Sequence, residues 1–358
     1  MKIPALVEID ADFWKGRRVL VTGHTGFKGA WLSLWLQSMG ARVTGLAPGS
    51  PTRPSMYGLA GVGEHMDAWA LDVRDGAGVE AAMAEARPEI VFHLAAQPLV
   101  RRSLREPALT YEINAMGTVN VLEAIRRPAA GVAAVVVVTS DKAYANPGRP
   151  GRPFVEDDPL GGADPYSSSK ACAELICAAY RRSFLTAEDG PRLATARAGN
   201  VIGGGDWGED RLIADSVRAV AAGETLLIRN PDAVRPWQHV LNPLAGYIVL
   251  AQTLHSGASA AHAWNFGPPA YDAQTAGWIV ERLSELWGGA LHWELDSAAH
   301  PSEEAHLSLD SGAAARELGW RPAADLGEAL RLVVEWHEAH AAGRDMREVS
   351  LGQIAGFR

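Results

Sequence analysis

Within five consecutive positions, 140–144, the chain carries a hydroxyl, a carboxylate, an amine and a phenol: Ser140, Asp141, Lys142 and Tyr144 of TSDKAY. A second segment, DPYSSSKACAEL (164–175), contains Tyr166 and Lys170, whose four-residue spacing puts both on one face of a helix. A free tyrosine has a pKa of about 10 and is a poor base at neutral pH. An ammonium one turn away favours the phenolate, and lowering the pKa by ~3 units takes about 4 kcal/mol. Ser140, Tyr166 and Lys170 then form a set that takes a hydroxyl proton while hydride leaves the carbon. Asp141 and Lys142 are surplus to hydride transfer. An extra acid and an extra base call for a second step, in which a proton leaves carbon and a hydroxyl leaves as water. Oxidising a sugar alcohol to a ketone acidifies the neighbouring C–H, so the two steps belong together. The plainer alternative for Asp141 and Lys142 is a surface ion pair.

Something must bring these groups to one place. The run of four valines at 135–138 directly before the first segment reads as a buried strand. With it, strands are predicted at 18–22, 42–46, 70–73, 90–93, 133–139 and 193–197, and helices at 27–39, 76–86, 111–126 and 166–183. Alternating strands and helices imply a parallel sheet covered on both faces, with ligands beyond the carboxyl ends of its strands. After about residue 198 the texture changes to loops rich in Gly, Pro, Asp, Arg and Trp, such as NVIGGGDWGEDR (200–211). A helix at 243–254, a short strand near Trp264 and two terminal helices follow. The predicted fold is α/β. A doubly wound, Rossmann-type sheet takes residues 1–198, with some later segments returning to it. A smaller mixed α/β lobe takes 199–358 and binds substrate.

The segment RVLVTGHTGFKGAWL (18–32) runs from the first strand through Gly23, Gly26 and Gly29 into a helix. Glycines let backbone approach a pyrophosphate, and the helix N-terminus supplies N–H donors. In this βαβ setting the triplet predicts a dinucleotide site. Its G-x-x-G-x-x-G spacing points to the short-chain dehydrogenase/reductase superfamily, and a positive nicotinamide would further favour the Tyr166 phenolate. Thr25 and Phe27 of the turn, Asp72 and Val73 after the third strand, and Ala95 and Gln97 of HLAAQ complete the candidate cofactor set. The carboxylate expected ~20 residues on for the ribose hydroxyls is missing, since 42–49 contains none. Nothing there repels a 2′-phosphate, and Arg53 is available to accept one. NAD is expected on resemblance more than on these residues.

The 358 residues are 47% apolar and 21% charged, the mixture of an ordinary globular protein. A net charge of −9 argues against nucleic acid or an anionic membrane as the main partner. Glu8, Asp10 and Asp12 are unlike a signal peptide, and the longest apolar runs are too short to span a bilayer. Cys172 and Cys177 read as reduced thiols of a cytoplasmic protein, with no metal site expected.

Taken together, VTGHTGFKGAWLSLWL, FHLAAQPLVRRS, TSDKAY, DPYSSSKACAEL, RAGNVIGGGDWGEDRLI, RPWQHVLNPL and WNFGP resemble the CDP-glucose 4,6-dehydratases, extended short-chain enzymes of deoxysugar biosynthesis. The resemblance runs from about residue 13 to 340. Related dTDP- and GDP-sugar enzymes carry Thr-Asp-Glu where this chain has Ser140-Asp141-Lys142. The stretch after Tyr144, ANPGRPGRPF, lacks the family's aromatic-rich loop. The resemblance implies that Tyr166 deprotonates the C4 hydroxyl of glucose while NAD takes hydride. Lys142 then removes the C5 proton, Asp141 protonates the departing C6 hydroxyl, and hydride returns to C6. It also implies that Asn200, Arg211 and Arg235, with Gln97, lie near the substrate's phosphates and ribose. His239 is a further candidate contact, with a core histidine as the alternative. Helices 111–126 and 166–183 match those of a dimer interface, so a homodimer is expected and a homotetramer is possible. The rivals are a nucleotide-sugar 4-epimerase of the same fold and a non-catalytic NAD-binding regulator.

Overall fold

The computed structural model describes residues 8–127, 131–146, 152–188, 190–258, 260–296, 298 and 307–357. Part of the atypical stretch after Tyr144, residues 147–151, lies outside them. The first half builds strands β1 (Arg18–Thr22), β2 (Arg42–Ala47), β3 (Asp67–Ala70), β4 (Ile90–His93), β5 (Ala134–Val138) and β6 (Arg192–Arg197). The second half adds β7 (Val201–Ile202), β8 (Leu226–Ile228), β9 (Val234–Pro236), β10 (Gln238–His239), β11 (Ala263–Asn265), β12 (Ala273–Thr275) and β13 (Trp293–Leu295). Seven of these form one sheet in the order β11-β6-β5-β4-β1-β2-β3, all neighbours parallel. All five residues of β5 are buried, as a β-branched strand covered on both faces must be. This is the doubly wound Rossmann-type architecture that the alternating elements predicted.

The chain does not divide cleanly at residue 198. β11 is hydrogen-bonded to β6 at the edge of the main sheet, and the helix Leu241–His255 buries Leu244, Tyr247, Ile248 and Leu250 in the core of that sheet. The remaining strands pair two by two: β7 with β10 and β8 with β13 in parallel, β9 with β12 antiparallel. They surround a separate apolar cluster that includes Ile213, Trp237, Ile279, Leu283, Leu330 and Val333.

Three local expectations need correction. The third strand starts earlier than 70–73, because Asp67–Ala70 takes the register opposite Thr44–Ala47 and the chain then turns away. Asp72 and Val73 therefore lie in a loop, followed by Asp75, which caps the helix Gly76–Ala86 by accepting from Gly78 N. The helix predicted at 111–126 is interrupted: Pro107–Tyr111 passes through a π-helical turn, Glu112–Met116, into Gly117–Ile125. Wide turns of this kind occur mostly as insertions within α-helices, often beside functional sites. The C-terminus holds a third helix, Met346–Ala355, capped by Asp345 and held by Trp336 Nε1 donating to Ser350 Oγ at 2.9 Å.

Candidate active site

The site grows from the carboxyl end of β5. Two residues past Thr139 the chain folds into a 3-10 turn, Asp141–Ala143, capped by Ser140. The Ser140 hydroxyl accepts from Lys142 N at 3.2 Å and donates to Asp141 Oδ1 at 2.9 Å. Asp141 N donates to the Ala198 carbonyl at 3.2 Å, which ties the turn to the end of β6. Gly199 leaves room for the carboxylate, since a Cβ there would stand 2.7 Å from Asp141 Oδ2. Asp141 is only 4% exposed, and burial pushes its carboxyl above the usual range against the pull of Lys142, Ser140 and Lys28. A buried carboxyl of this kind is suited to hold and release a proton.

Tyr166 and Lys170 enter from the helix Pro165–Ser183, which starts at Asp164 (its carboxylate accepts from Ser167 N at 3.0 Å) and carries proline at its first position. Ser103 Oγ accepts from Tyr166 N at 3.2 Å and fixes the first turn. The sequence predicted a phenol pulled down by its lysine together with a bound nicotinamide. In the protein alone burial pushes Tyr166 up to about 12; Ser140 and the charge of Arg211 oppose this, while Asp141 and Asp164 reinforce it. Lys170 donates to the Val138 carbonyl at 3.2 Å, and burial brings it down to about 8 against the opposing charge of Glu174.

The glycine turn is built as the motif requires. Gly23 has φ +72°, and a Cβ on it would meet Ala95 N at 2.8 Å. A Cβ on Gly29 would stand 2.1 Å from the Gly23 carbonyl, so the turn closes only with glycine at both positions. Gly26 caps the twelve-residue helix Phe27–Ser38 without a side-chain hydrogen bond. Thr25 Oγ1 donates to the Gly49 carbonyl at 2.7 Å to hold the loop. Phe27 lies under Gly203, where a Cβ would come within 3.1 Å of its ring.

Lys28, which sequence reasoning missed, reaches the same chamber. It follows Phe27 in the first turn of the helix and donates to Tyr247 Oη at 3.5 Å. Burial and the charges of Lys170 and Arg211 bring it down to about 8, with Asp141 opposing. Its signal in the sequence is a cation at a helix N-terminus, where the dipole disfavours one. Asn114 was missed too. It sits in the π-helical turn, accepts from Gln97 N at 2.8 Å and donates to Ser169 Oγ at 2.8 Å, bridging the HLAAQ loop to the Tyr166 helix.

The predicted substrate and cofactor residues divide into two groups. Arg211 bears on both Tyr166 and Lys28, with Asp206 Oδ2 as its 2.6 Å partner. Asn200 follows Gly199 in the loop after β6, and Arg235 is buried on β9 beside Pro236, itself packed against Gly199. Others turn inward. Gln97 donates to Leu99 O and Thr110 Oγ1 and accepts from Leu99 N, so its amide serves its own loop. His239 is a core histidine and not a pocket residue: fully buried, stacked on Phe357 and edge-on to Trp31, it is pushed down to about 3. Asp72 is held by Arg74 at 2.8 Å, and Val73 packs under Gly117.

Residues 19–267 match the model of the NAD dependent epimerase/dehydratase family. The chain belongs to that family. A curated relative, the CDP-glucose 4,6-dehydratase of Salmonella typhimurium, is 48% identical over 98% of each chain. A UDP-glucose 4-epimerase of Mycolicibacterium smegmatis is 30% identical over 89% of this chain and 98% of its own. Among solved structures, a Thermus thermophilus UDP-glucose 4-epimerase in complex with NAD is 27% identical, with a TM-score of 0.76 over 90% of this chain and 99% of that one. The dTDP-glucose 4,6-dehydratase of Streptomyces venezuelae shares the fold, with a TM-score of 0.76 at 24% identity over 92% and 99% of the two chains. NAD is the cofactor of the family. The residues present fit it, for the closed glycine turn leaves a helix start without a side-chain cap, and the charges of Lys170 and Arg211 act on Lys28 in its first turn.

Proposed function

We propose that the chain dehydrates CDP-glucose to CDP-4-keto-6-deoxyglucose. The observation that carries this reading is Asp141, a buried carboxyl pushed toward its protonated form beside Ser140, in a chain similar along nearly its whole length to a CDP-glucose dehydratase. An epimerase returns hydride to the carbon that lost it and needs no proton donor for a leaving hydroxyl. NAD, when bound, accepts the hydride from C4 and gives it back at C6. Tyr166 takes the C4 hydroxyl proton, with Ser140 fixing its phenol and Lys170 holding the cationic side of the chamber. Lys142 removes the C5 proton, and Asp141 protonates the C6 oxygen as it departs. Arg211, Arg235 and Asn200 hold the nucleotide half, because guanidinium groups pair well with phosphate oxygens. Residues 1–198 chiefly carry NAD and 199–358 the nucleotide sugar.

The test is incubation with CDP-glucose and catalytic NAD, reading the alkaline absorbance of a 4-keto sugar. The expected result is product without net consumption of NAD. Recovery of only an epimerised, still 6-hydroxylated sugar would replace this reading.

The active assembly is proposed to be a homodimer. Leu104, Met116, Leu175 and Phe184 are large exposed apolar side chains on or beside neighbouring helices, and a monomer gains nothing by exposing them. Two free thiols suit a reducing compartment, so the cytoplasm is the proposed location. No helix among the described residues is long and apolar enough to cross a membrane.

A further inference from the structure

The function proposed above uses Ser140, Asp141 and Lys142 but leaves the phenol of the same run, Tyr144, without a part. Its surroundings commit it to holding rather than to proton transfer. Tyr144 is 1% exposed, and its Oη accepts from Arg197 Nη1 at 2.7 Å and donates to Asn265 Oδ1 at 2.8 Å. The sense of that last bond is forced, because Asn265 Nδ2 already donates to the carbonyls of Phe154 at 2.9 Å and Asp310 at 3.1 Å. The ring stacks on Phe154, with centroids 4.8 Å apart and planes 6° from parallel.

The backbone around Tyr144 is bracketed as well. Ala143 O accepts from Gly161 N at 2.9 Å and Ala145 N donates to Pro159 O at 2.8 Å, so Tyr144 is the middle of a bridge opposite Leu160. Within the turn itself, Ala143 N donates to Ser140 O at 3.1 Å and Tyr144 N to Asp141 O at 3.4 Å. Hydrogen bonds of 3-10 turns have poor geometry, so the shape of a short one depends on what holds its two ends. The entry is held at Thr139, whose hydroxyl donates to Glu174. The exit is held at Tyr144, two residues after Lys142. Asn265, the acceptor there, is fully buried at the end of β11, 121 residues further along the chain.

We propose that Tyr144, held by Asn265, is a positioning residue for the elimination half of the reaction: it fixes the exit of the catalytic turn and so sets where Lys142 meets the C5 hydrogen. This role rests on the dehydratase reading, with Lys142 as the C5 base. The groups that serve the oxidation are fixed elsewhere. Ser140 follows Thr139 at the anchored entry, and Tyr166 is held at the start of its helix by Ser103 Oγ. Loosening the exit therefore displaces Lys142 more than the oxidation set. A displacement of ~1 Å between groups that must meet costs on the order of a hundredfold in rate. Since β11 belongs to the later half of the chain, that half places the base as well as holding the nucleotide sugar.

Tyr144→Phe tests this by removing one oxygen while keeping the ring on Phe154. Two rates are read with CDP-glucose and NAD. Stopped-flow absorbance of reduced nicotinamide follows C4 oxidation, and mass spectrometry of sugar recovered from deuterated solvent follows exchange at C5. The variant is expected to reduce NAD at close to the wild-type rate and to lose C5 exchange by ~10- to 100-fold, so that reduced cofactor accumulates during turnover. Exchange at the wild-type rate overturns the assignment. Oxidation slowed as much as exchange also overturns it, because the hydroxyl then supports the fold and not the base. Should Tyr144→Phe fail to fold, as melting and NAD binding report, Asn265→Ser is read in the same way, since it withdraws the acceptor but keeps the phenol and its bond from Arg197. A wild type silent toward CDP-glucose overturns the dehydratase reading instead, a failure that shows in the unaltered protein and is thereby told apart from the other two.

Discussion

Glu174 Oε2 lies 2.8 Å from Arg197 Nη2, with the two side chains 2% and 4% exposed. Glu174 also accepts from the hydroxyls of Thr139 and Thr195, and Arg197 Nη1 donates to Tyr144 Oη at 2.7 Å and to the Glu156 carbonyl at 2.9 Å. The pair thus pins the residue before Ser140 to β6 and to the segment after Tyr144. Removing one partner of a buried ion pair costs about 3–5 kcal/mol, because it strands the other charge. Glu174→Leu should lower the urea midpoint accordingly, and Glu174→Leu with Arg197→Met should lose less than the single change. A double variant as unstable as the sum of the singles would show that the two charges are not coupled.

Lys142→Ala separates oxidation from elimination. The variant is expected to reduce NAD with CDP-glucose at a rate near wild type, yet to lose exchange of the C5 hydrogen with deuterated solvent by at least ~100-fold. Mass spectrometry of recovered sugar reads the exchange. Undiminished C5 exchange would assign the base to another group.

Discrimination against NADP should be weak. No carboxylate follows β2, and the nearby Asp72 is engaged by Arg74. Titration of the apoprotein by fluorescence is expected to give NADP an affinity within about a hundredfold of NAD, or roughly 2.8 kcal/mol. A gap of several thousandfold would mean that another group reads the 2′ position.

The crowded cations predict an unusual pH response. Burial holds Lys28 and Lys170 at about 8, whereas an unfolded lysine keeps its proton to about 10.4. From about pH 8 to 10 the unfolded chain binds more protons than the folded one, so the contribution of these two groups to stability rises with pH. Lys28→Met removes one of them. Urea midpoints of the apoprotein at pH 7.5 and 9.5 should rise less in the variant than in the wild type. Equal rises in both would place the Lys28 ammonium in water.

The chemistry was legible where it depends on short spacing. The glycine turn, the Ser140-Asp141-Lys142 run and the Tyr166–Lys170 pair each sit within one turn or helix, so local pattern places them relative to one another. What depends on which way a side chain faces was not. His239 and Arg235 lie on neighbouring two- and three-residue strands, too short to show a periodicity, and only packing decides that His239 turns into the core. Lys28 reads like any surface lysine until Tyr247, 219 residues away, is brought beside it. For Tyr166 the sequence reading counted Lys170 and the nicotinamide, whereas burial, Ser140, Asp141, Arg211 and Asp164 also act on the phenol and only the fold brings them beside it. The helix Met346–Ala355 did have a local signal, Asp345 capping Arg347 N and Glu348 N, that the pattern reading passed over.

The placement of β11 against β6 bears on how the polypeptide reaches this form. A nascent chain that has emerged only through β6 has six strands of the sheet but presents the open edge of β6 to its surroundings, and it lacks the helix that covers β5 and β6. Strand edges of this kind recruit other strands. Completion waits until about residue 265 has been made, and the closing contact joins residues some 68 apart, Ala263 with Thr195. Synthesis and folding are therefore coupled late, and the interval between β6 and β11 is when the growing chain most needs shielding from its neighbours.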